Sequence, residues 1–444
     1  MNTITIDCGA SFIKGALYCG DEMVAQKEYS CPHEGRDLLS PSKATAVMEL
    51  VKKLLRELCA GISEAHLCIS NEMHGFLLTD ESFSPVTEFI SWQWELGKAQ
   101  LPGGTNAIEW LKENIGSEDL AYTGMPLRAG LPSSNLTYLK LGHVLSNTRD
   151  RIYFLTLGDW IMASLSGECQ RIHPTNAAAT GLYDLRISDW NWSMIDRIVS
   201  NRISFPEIGV KPFQFEIDGT MIEAAPAIGD QQAALFGAGL TNRKDISFNL
   251  GTGAQVSMLC DDICLNKEYQ IRPFFDEKYI KTIPHIPCGR ALNVYLRFIQ
   301  NTLTTFGINK CEDEIWSVLQ CLPEEDSTLR FDLSYFENAV TEHTTGSITN
   351  ISEDNMFLAS FVSAMTKQIA DNAIVVADRL CDDRKAINRL ILSGGVAKKN
   401  RRISDRIIQA FPDAECIFAE NETMIGLKKY GDKVFHKVGT YEIH

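Results

Sequence analysis

The amino-acid sequence predicts an α/β protein made of two related units. Its 444 residues exceed what one hydrophobic core usually supports, so two domains of roughly 200 residues each are expected. Each half of the chain opens with a strand, a glycine-bearing turn and a second strand, and later alternates helix and strand. We therefore interpret the chain as a duplicated α/β unit. Its boundary near residues 239–244 gives domains 1–240 and 241–444.

The first unit begins with a predicted β-hairpin. Two apolar runs, residues 3–7 and 12–18, flank a short turn. Residues 43–60 carry apolar side chains three and four positions apart, which is the pattern of an amphipathic helix. The apolar run 66–70 follows and predicts a short buried strand.

The second unit repeats this order. Residues 245–259 predict a strand, a glycine-rich turn and a second strand. Residues 355–380 show a long helical pattern, and residues 387–393 read as another buried strand. A Gly-Gly turn then leads into a helix predicted at residues 400–411.

The formal net charge of −15 at pH 7 argues against two classes of partner. A negative field repels the phosphates of nucleic acids and the headgroups of acidic membranes, so we expect neither as a partner. A nucleotide ligand remains compatible with this charge, because backbone N–H groups and a metal ion can hold phosphates.

The cysteines and the N-terminus indicate the compartment. Thirteen cysteines are scattered without a disulfide framework, and the closest pair, Cys260 and Cys264, has no second pair to complete a zinc site. Free, mostly buried thiols in a reducing cytosol are expected. No signal-peptide pattern opens the chain, and no apolar run approaches the ~20 residues of a membrane span. The sequence therefore predicts a cytoplasmic protein.

The turn after the first predicted strand is a candidate phosphate loop. It contains Asp7, Gly9, Ala10 and Ser11, with Lys14 three residues further on. Gly9 lets the backbone approach a ligand, and successive N–H groups in such a turn can bind an anion. Asp7 could hold Mg²⁺ through water, because Mg²⁺ prefers few carboxylates and several waters. The alternative is ordinary turn chemistry, since Asp, Gly and Ser are common in hairpin turns.

Two later turns have the same character. The first is Gly251-Thr252-Gly253, where two glycines flank a hydroxyl donor. The second places Gly394 and Gly395 between a strand and a helix, which suits a flat ring or a phosphate. Each turn alone could be a plain tight turn, but the three together favour a nucleotide site. Walker A and GxGxxG motifs are absent, which disfavours P-loop and Rossmann folds.

Asp230 is the candidate general base. It follows a glycine and precedes a helix-forming run within residues 226–240. A base that takes the proton from a substrate hydroxyl typically contributes ~10²–10⁴-fold to the rate. The alternative is a helix N-cap that accepts backbone N–H bonds.

The motifs, taken in order, resemble those of the FGGY carbohydrate kinases over nearly the whole chain. The matching blocks are Asp7-x-Gly9-x-Ser11-x-x-Lys14, Glu72-Met73-His74-Gly75, Thr123-Gly124 with Pro132, Leu136 and Leu139, residues 158–168, residues 176–191, residues 229–237, the Gly-Thr-Gly and Ser-Gly-Gly turns, and residues 422–427. The resemblance implies two actin-like (RNase H-like) domains of duplicated ancestry with an active-site cleft between them.

The resemblance also implies ATP and Mg²⁺ as cofactors and a small-molecule sugar as substrate. Asp230 would be the base, and Asp7 with Asp230 would hold Mg²⁺. The residues expected on the nucleotide side are Gly9, Ala10, Ser11, Lys14, Gly251, Thr252, Gly253, Gly289, Gly394, Gly395, Val396 and Asn400. Those expected against the sugar are Glu72, Met73, His74, Trp92, Asp230 and Gln231. His74 as a satisfied core histidine, and Trp92 and Trp94 as packing residues, stay open as alternatives.

Departures from the family pattern concentrate in the sugar pocket. Glu72 stands where relatives carry glutamine, and the Trp92-Gln93-Trp94-Glu95-Leu96 block lacks the usual acid and arginine. Ala10 and Phe12 replace a threonine and a small residue in the first phosphate loop. These changes leave the identity of the substrate open, whereas the expected reaction class, phosphoryl transfer, is unaffected.

The sequence is compatible with several functions. We favour a ketose kinase for sugars between xylulose and sedoheptulose, because Met73-His74-Gly75 matches that branch. Glycerol is the alternative substrate, and a silent sugar or nucleotide sensor or an actin-like ATPase are the alternative classes. Because Glu72 would add a negative charge beside the ligand, a neutral sugar is expected and a sugar acid is not. A homodimer is compatible with the sequence but is not indicated by it.

Overall fold

The computed structural model describes residues 1–33, 37–144, 151–199 and 203–436. Its strands are β1 Asn2–Cys8, β2 Phe12–Cys19, β3 Glu22–Ser30, β4 Glu64–Asn71, β5 Leu77–Thr79, β6 Ile152–Leu155, β7 Tyr183–Asp184, β8 Asp189–Trp190, β9 Ile203–Ser204, β10 Phe213–Ile217, β11 Thr220–Ala224, β12 Ile228–Gly229, β13 Asp245–Leu250, β14 Gly253–Cys260, β15 Gln270–Pro273, β16 Tyr279–Pro287, β17 Arg330–Asp332, β18 Ser347–Thr349, β19 Arg389–Ser393 and β20 Glu415–Phe418.

The helices alternate with these strands. They are α1 Ser42–Leu58, α2 Ala107–Asn114, α3 Ser117–Ala121, α4 Pro132–Leu141, α5 Leu157–Ser166, α6 Pro174–Ala178, α7 Trp192–Ile198, α8 Asp230–Gly237, α9 Gly289–Thr305, α10 Glu312–Leu319, α11 Leu358–Asp378, α12 Gly395–Lys399, α13 Arg401–Ala410 and α14 Glu422–His436. Short 3-10 turns lie at Leu96–Lys98 and Arg384–Ala386.

Two large mixed sheets organise the molecule. The first has the order β10-β11-β4-β1-β2-β3, with β12 also pairing with β4. The second has the order β15-β16-β14-β13-β19-β20. Each sheet has its own hydrophobic core, formed against α1 and α5 in the first and against α9, α11 and α13 in the second.

The two sheets share one topology. The hairpin β1–β2 corresponds to β13–β14, and both pairs are antiparallel. The strand β4 lies parallel to β1, as β19 lies parallel to β13. A further parallel strand follows on that side, β11 beside β4 and β20 beside β19. The predicted duplication of an α/β unit is therefore confirmed at the level of topology.

The predicted elements form for the expected reasons. Helix α1 buries one apolar stripe made of Val47, Val51, Leu54, Leu55 and Leu58. The helix predicted at residues 355–380 is α11, and the strand predicted at 387–393 is β19. That strand begins at Arg389, because residues Arg384–Ala386 just before it form a 3-10 turn that starts at its N-cap residue Asp383.

The last described helix returns to the first sheet. Helix α14 packs against α8, β1 and β4. A Cβ atom on Gly237 would overlap the carbonyl of Glu422, and one on Gly426 would overlap the carbonyl of Ala233, so only glycine permits this close crossing. Helix α14 of the predicted unit 241–444 therefore packs against the first unit. Residues 437–444 of this unit lie outside the described residues.

Two further features of the chain bear on its setting. Within the described ranges, no helix is both long and apolar enough to cross a bilayer. All thirteen cysteines are free, but only five are buried and four are exposed, namely Cys19, Cys264, Cys311 and Cys321. The expectation of mostly buried thiols was therefore too strong, because these four lie at turns or element ends that face solvent.

Candidate active site

A cleft of about 1510 Å³ is lined by residues of both halves. Eight residues predicted for the site lie on its walls: Asp7, Ala10, Glu72, Met73, His74, Trp92, Asp230 and Gln231. The second half contributes side chains that the sequence analysis did not select, including Gln255, Arg272, Thr282 and His285. The cleft is thus the place where the predicted sugar residues and both candidate acids meet.

Asp7 lies near the end of β1, where the backbone turns at Gly9. Ser70 donates a hydrogen bond to Asp7 Oδ1 at 2.7 Å. Loss of solvent raises the pKa of Asp7 to about 6, while the Ser70 bond and the charge of Lys14 act in the opposite direction. Asp7 is therefore a carboxylate whose charge would be favoured by a nearby cation.

Asp230 is the first residue of α8 and faces the same cleft. Gly229 is the N-cap residue, so the N-cap alternative for Asp230 does not hold. Its Oδ1 accepts a hydrogen bond from the backbone N–H of Gln231 at 2.8 Å. Loss of solvent, and then the negative charge of Asp7, raise the pKa of Asp230 to about 7. A carboxylate with a pKa near neutrality is well matched to general-base chemistry.

The two acids are suited to a magnesium ion that also binds water. Among the described residues, no three His, Cys, Asp or Glu side chains converge on one metal position. Mg²⁺ commonly takes only one or two carboxylates together with phosphate oxygens and waters. Loss of solvent is the main cause of the raised pKa values of Asp7 and Asp230, and the charges of Lys14 and Arg272 offset it only in part, so the pair fits the predicted Mg²⁺ site.

The raised pKa of Asp230 predicts a gain in stability when its charge is removed. Folding raises the pKa of this carboxyl from its ordinary value of 3.8 to about 7, so the folded state has its full stability below pH 4 and loses stability as pH rises towards 7. Without Mg²⁺ at pH 8, Asp230→Asn should therefore raise the free energy of unfolding by roughly 1–4 kcal/mol. Urea unfolding in EDTA at pH 8 and pH 4 measures this.

The exposed residue Asp413 provides a matched control for that experiment. Asp413→Asn removes the same charge from the surface and should change stability by less than about 0.5 kcal/mol at either pH. The gain in Asp230→Asn should shrink at pH 4. An Asp230→Asn protein that is no more stable than the wild type at pH 8 would show that the Asp230 carboxylate is well solvated.

Glu72 is paired with a lysine. Lys43 Nζ lies 3.3 Å from Glu72 Oε1, and both side chains are almost fully buried. The expectation that a sugar acid would be rejected assumed that no cation compensates the charge of Glu72. Because Lys43 offsets that charge, Glu72 gives no reason to exclude an acidic sugar.

His74 is held in a strained and neutral form at the cleft wall. Its φ of 64° lies in the left-handed region, which a non-glycine residue rarely adopts. Nδ1–H donates to the carbonyl of Ala179 at 2.7 Å. Burial, followed by the charges of Arg272 and Arg128, keeps the pKa of His74 well below its usual range. One ring nitrogen is thus satisfied internally, as in the core-histidine alternative, while the ring still lines the cleft.

Gln231 connects the two halves across the cleft. Its Nε2 donates to Gln255 Oε1 and to Thr282 Oγ1, both at 3.2 Å. Its Oε1 accepts from Arg272 Nη1 at 2.8 Å. The amide is therefore committed to a protein network, and its predicted contact with the sugar stays a prediction.

The two tryptophans of the divergent block have different surroundings. Trp92 is 48% exposed and lines the cleft. Trp94 is partly buried against the core that contains Phe76 and Leu136. Packing therefore explains Trp94, whereas Trp92 is free to contact a ligand.

The predicted nucleotide turns of the second half come together. The N–H of Gly289 donates to the carbonyl of Gly251 at 3.0 Å, and the N–H of Arg290 donates to that of Thr252 at 2.7 Å. Gly394 has a φ of 89°, and a Cβ there would press on the carbonyl of Leu250. The start of α9, the Gly-Thr-Gly turn and the Gly-Gly turn thus form one backbone cradle.

The backbone of this cradle is open beside three of its glycines. Among the described residues, a Cβ placed on Gly253 or Gly395 would meet no atom within 4 Å. A Cβ on Gly251 would meet only ordinary contacts, at 3.6 Å and beyond. This open backbone fits the predicted role of the turns, in which N–H groups bind the phosphates of ATP.

Other predicted nucleotide residues have structural roles or less direct positions. Gly9 N–H donates to the carbonyl of Phe12 at 3.1 Å, so that group is already used within the hairpin. Lys14 lies 3.2 Å from Glu28. The Asn400 side chain is 4% exposed and caps α13. Ser11 is exposed, and Val396 packs on the core of the second half. The nucleotide contacts assigned to these residues stay predictions.

Four residues that contribute charge and hydrogen bonds at the sugar end of the site were not predicted from the sequence. They are Lys43, Arg128, Arg272 and His285. None of the four is marked by a sequence motif. Arg272 follows Gln270 and Ile271 in β15, so no apolar run reveals that this arginine is buried.

Comparisons with known proteins agree with this geometry. Residues 2–237 match the FGGY family of carbohydrate kinases, N-terminal domain. The glycerol kinase of Aquifex aeolicus is 24% identical over 256 residues, an alignment that covers 55% of this chain and 49% of that protein. The chain thus spans about half the length of this curated relative.

Several solved structures share the fold. Xylulose kinase from Lactobacillus acidophilus is 17% identical, with a TM-score of 0.80 over 98% of this chain and 90% of that one. Gluconate kinase from the same organism is also 17% identical, with a TM-score of 0.81 and the same coverage. Plasmodium falciparum glycerol kinase with ADP is 16% identical, with a TM-score of 0.79 over 100% and 90% of the chains. The predicted fold of two actin-like (RNase H-like) domains is thereby confirmed.

Proposed function

We propose that this chain, which belongs to the FGGY family of carbohydrate kinases, transfers the γ-phosphoryl group of ATP to a hydroxyl of a small carbohydrate. The observation that carries the proposal is the position of Asp230, at the start of α8 in a cleft lined by both halves, with a pKa of about 7. Solved neighbours named for xylulose, gluconate and glycerol support a carbohydrate acceptor without selecting one.

Asp230 would accept the proton of the attacking hydroxyl. Its carboxylate is already oriented by the N–H of Gln231, so little rearrangement is needed. Arg272 lies near enough to lower the pKa of Asp230 and keep part of the population ionised at neutral pH. Positioning and electrostatic stabilisation would supply most of the rate, as is usual for phosphoryl transfer.

The nucleotide would lie over the glycine cradle of Gly251, Gly253 and Gly395. Backbone N–H groups there would bind phosphate oxygens. Asp7 and Asp230 would hold Mg²⁺, which neutralises charge on the phosphates when bound. Closure of the two halves would exclude water and limit hydrolysis of ATP.

The identity of the acceptor is a finer question. Met73-His74-Gly75 supports a ketose between xylulose and sedoheptulose, with phosphorylation at a terminal hydroxyl. The string at residues 229–237 and the glycerol kinase relatives support glycerol instead. Neutral and acidic sugars are both compatible with Glu72, because Lys43 offsets its charge.

Two observations oppose the non-kinase alternatives. A silent sensor does not need a carboxylate whose pKa is tuned to about 7 beside a second acid. An actin-like ATPase does not need a wall of His74, Met73 and exposed Trp92 facing that carboxylate. The thirteen free thiols support a reducing, cytoplasmic setting for the enzyme.

A coupled assay of ADP release tests the proposal. The purified full chain is supplied with ATP, Mg²⁺ and one carbohydrate at a time, from three to seven carbons, including alditols, ketoses and sugar acids. At least one carbohydrate should raise ADP release well above the rate with ATP alone. If every compound leaves ADP release at the rate seen without sugar, the kinase proposal fails.

A further inference from the structure

Arg272 is a buried arginine that has no carboxylate partner among the described residues. Its side chain is 3% exposed, on strand β15 at the inner wall of the cleft. Its hydrogen bonds go to neutral groups only, the side-chain oxygens of Gln231 and Gln270, with Met73 Sδ 3.8 Å from Nη1. Its Nε is buried and has no hydrogen-bond partner in the described part of the chain.

Arg128 approaches the same space from the first half. It is half-buried, and its Nη1 donates to Nε2 of His285. Its Nε is also buried without a partner among the described residues. Glu337 lies close enough to favour the charged form of Arg128, but the two form no ion pair within the ranges that the structure describes.

The charge of Arg128 destabilises the charged form of Arg272. Loss of solvent and the charge of Arg128 lower the pKa of Arg272 to about 9, and Asp230 opposes this only in part. Holding two desolvated cations in one cleft is unfavourable unless an anion joins them, and the glutamine and histidine around them are neutral. A ligand with a negative charge would relieve this repulsion.

The position of the pair indicates which ligand carries the charge. Both arginines act on His74, whose pKa each of them lowers. Arg272 contacts Met73 and Gln231, which also belong to the predicted sugar wall. Among the described residues, no hydrogen bond joins either arginine to the glycine cradle for the nucleotide. These contacts place the anion on the sugar side of the cleft.

We propose that the acceptor is a sugar acid whose carboxylate binds between Arg128 and Arg272, with the hydroxyl to be phosphorylated directed at Asp230. This rests on the proposed kinase function and names its substrate class. A guanidinium offers two parallel N–H donors that match the two oxygens of a carboxylate. Both arginines line the cleft in which such a carboxylate would bind.

A carboxylate fits this space better than a phosphate group. The cleft already contains the carboxylates of Asp7 and Asp230. A phosphate monoester would add about −1.5 to −2 charges at pH 7, whereas a carboxylate adds one. Because Asp230 lies near Arg272, the smaller charge gives the weaker repulsion of the base.

Matched pairs of acceptors test the proposal. Each aldonate of four to seven carbons is compared with the alditol of the same configuration, which differs only in having CH₂OH in place of COO⁻, and with a sugar monophosphate of equal length. The wild type should show a kcat/KM for one aldonate at least ~10-fold above that for its alditol, the size of one or more charge-assisted hydrogen bonds.

Arginine variants locate the effect. Arg128→Met and Arg272→Met should each reduce the aldonate-to-alditol ratio by at least ~10-fold, mainly through KM. Arg272→Lys should keep part of the ratio, because it retains the charge but loses the fork. The exposed Arg243→Met is the control and should leave the ratio unchanged. Circular dichroism and binding of an ATP analogue show whether each variant is folded.

The outcomes separate this proposal from the one on which it rests. A wild type that prefers the alditols, or the monophosphates, overturns the sugar-acid assignment and leaves the kinase function standing. Equal losses of kcat with every acceptor in Arg272→Met would assign that arginine to the transferred phosphoryl group instead. If no acceptor releases ADP, the kinase function fails. Calorimetry of aldonate against alditol then decides the anion site, and equal binding of the two overturns it.

Discussion

Replacing Asp230 with asparagine should reduce kcat at least ~10²-fold while ATP binding is retained. The amide keeps an oxygen that can accept the N–H of Gln231, so the local helix start should be preserved. It cannot take a proton from a hydroxyl at neutral pH. The loss should therefore appear in kcat with the preferred carbohydrate, since the base acts in the transition state.

Two measurements make the Asp230 result decisive. Calorimetry with a non-hydrolysable ATP analogue should show that the variant still binds nucleotide, although more weakly in Mg²⁺ if the carboxylate helps to hold the metal. The control Asp413→Asn should keep wild-type kcat, because Asp413 lies on the surface. A near-normal kcat in Asp230→Asn would mean that this residue is not the base.

Replacing Gly251 with valine should weaken binding of the ATP analogue by at least ~10-fold, the loss of one or more charge-assisted hydrogen bonds. The structure indicates that this substitution would not disturb the fold. A Cβ on Gly251 would meet only Gly253 O at 3.6 Å and Asn249 Oδ1 at 3.7 Å, both ordinary contacts. The branched side chain would then occupy the space that phosphate must enter, without requiring the fold to move.

Gly103 provides the control for this substitution. Among the described residues it also has no atom within 4 Å of a Cβ, and it is an exposed turn residue that does not itself line the cleft. Gly103→Val should bind the ATP analogue as the wild type does. If Gly251→Val is folded by circular dichroism and binds the analogue normally, the Gly-Thr-Gly turn is not part of the nucleotide site.

Much of the fold could be predicted because its signals are local. The alternating runs of β1 and β2, and the apolar stripe of α1, follow from side-chain periodicity within a few residues. The return of α14 to the first sheet could not be predicted. It depends on a close approach of Gly237 and Gly426, which lie far apart in the sequence, so no local sequence pattern reveals it.

The candidate site divides in the same way. Asp230 and the glycine turns were found because their neighbours in sequence carry the motif. The pairing of Lys43 with Glu72 was missed because the partner lies in another element, and this reversed the reasoning on the charge of the substrate. Arg128 belongs to the first half and Arg272 to the second, and they come close only in the folded protein. Their combined positive charge therefore could not be predicted from the sequence.

The most direct test of the account follows the phosphoryl group itself. The full chain is incubated with ATP labelled in its γ-phosphoryl group, Mg²⁺ and the acceptor that best stimulates ADP release, and the products are identified by mass spectrometry. We predict one labelled phosphate ester on a carbohydrate hydroxyl for each ADP formed, and almost none with Asp230→Asn. Label found only in inorganic phosphate, in equal amounts with and without the carbohydrate, would contradict the assignment of this cleft as a carbohydrate kinase site.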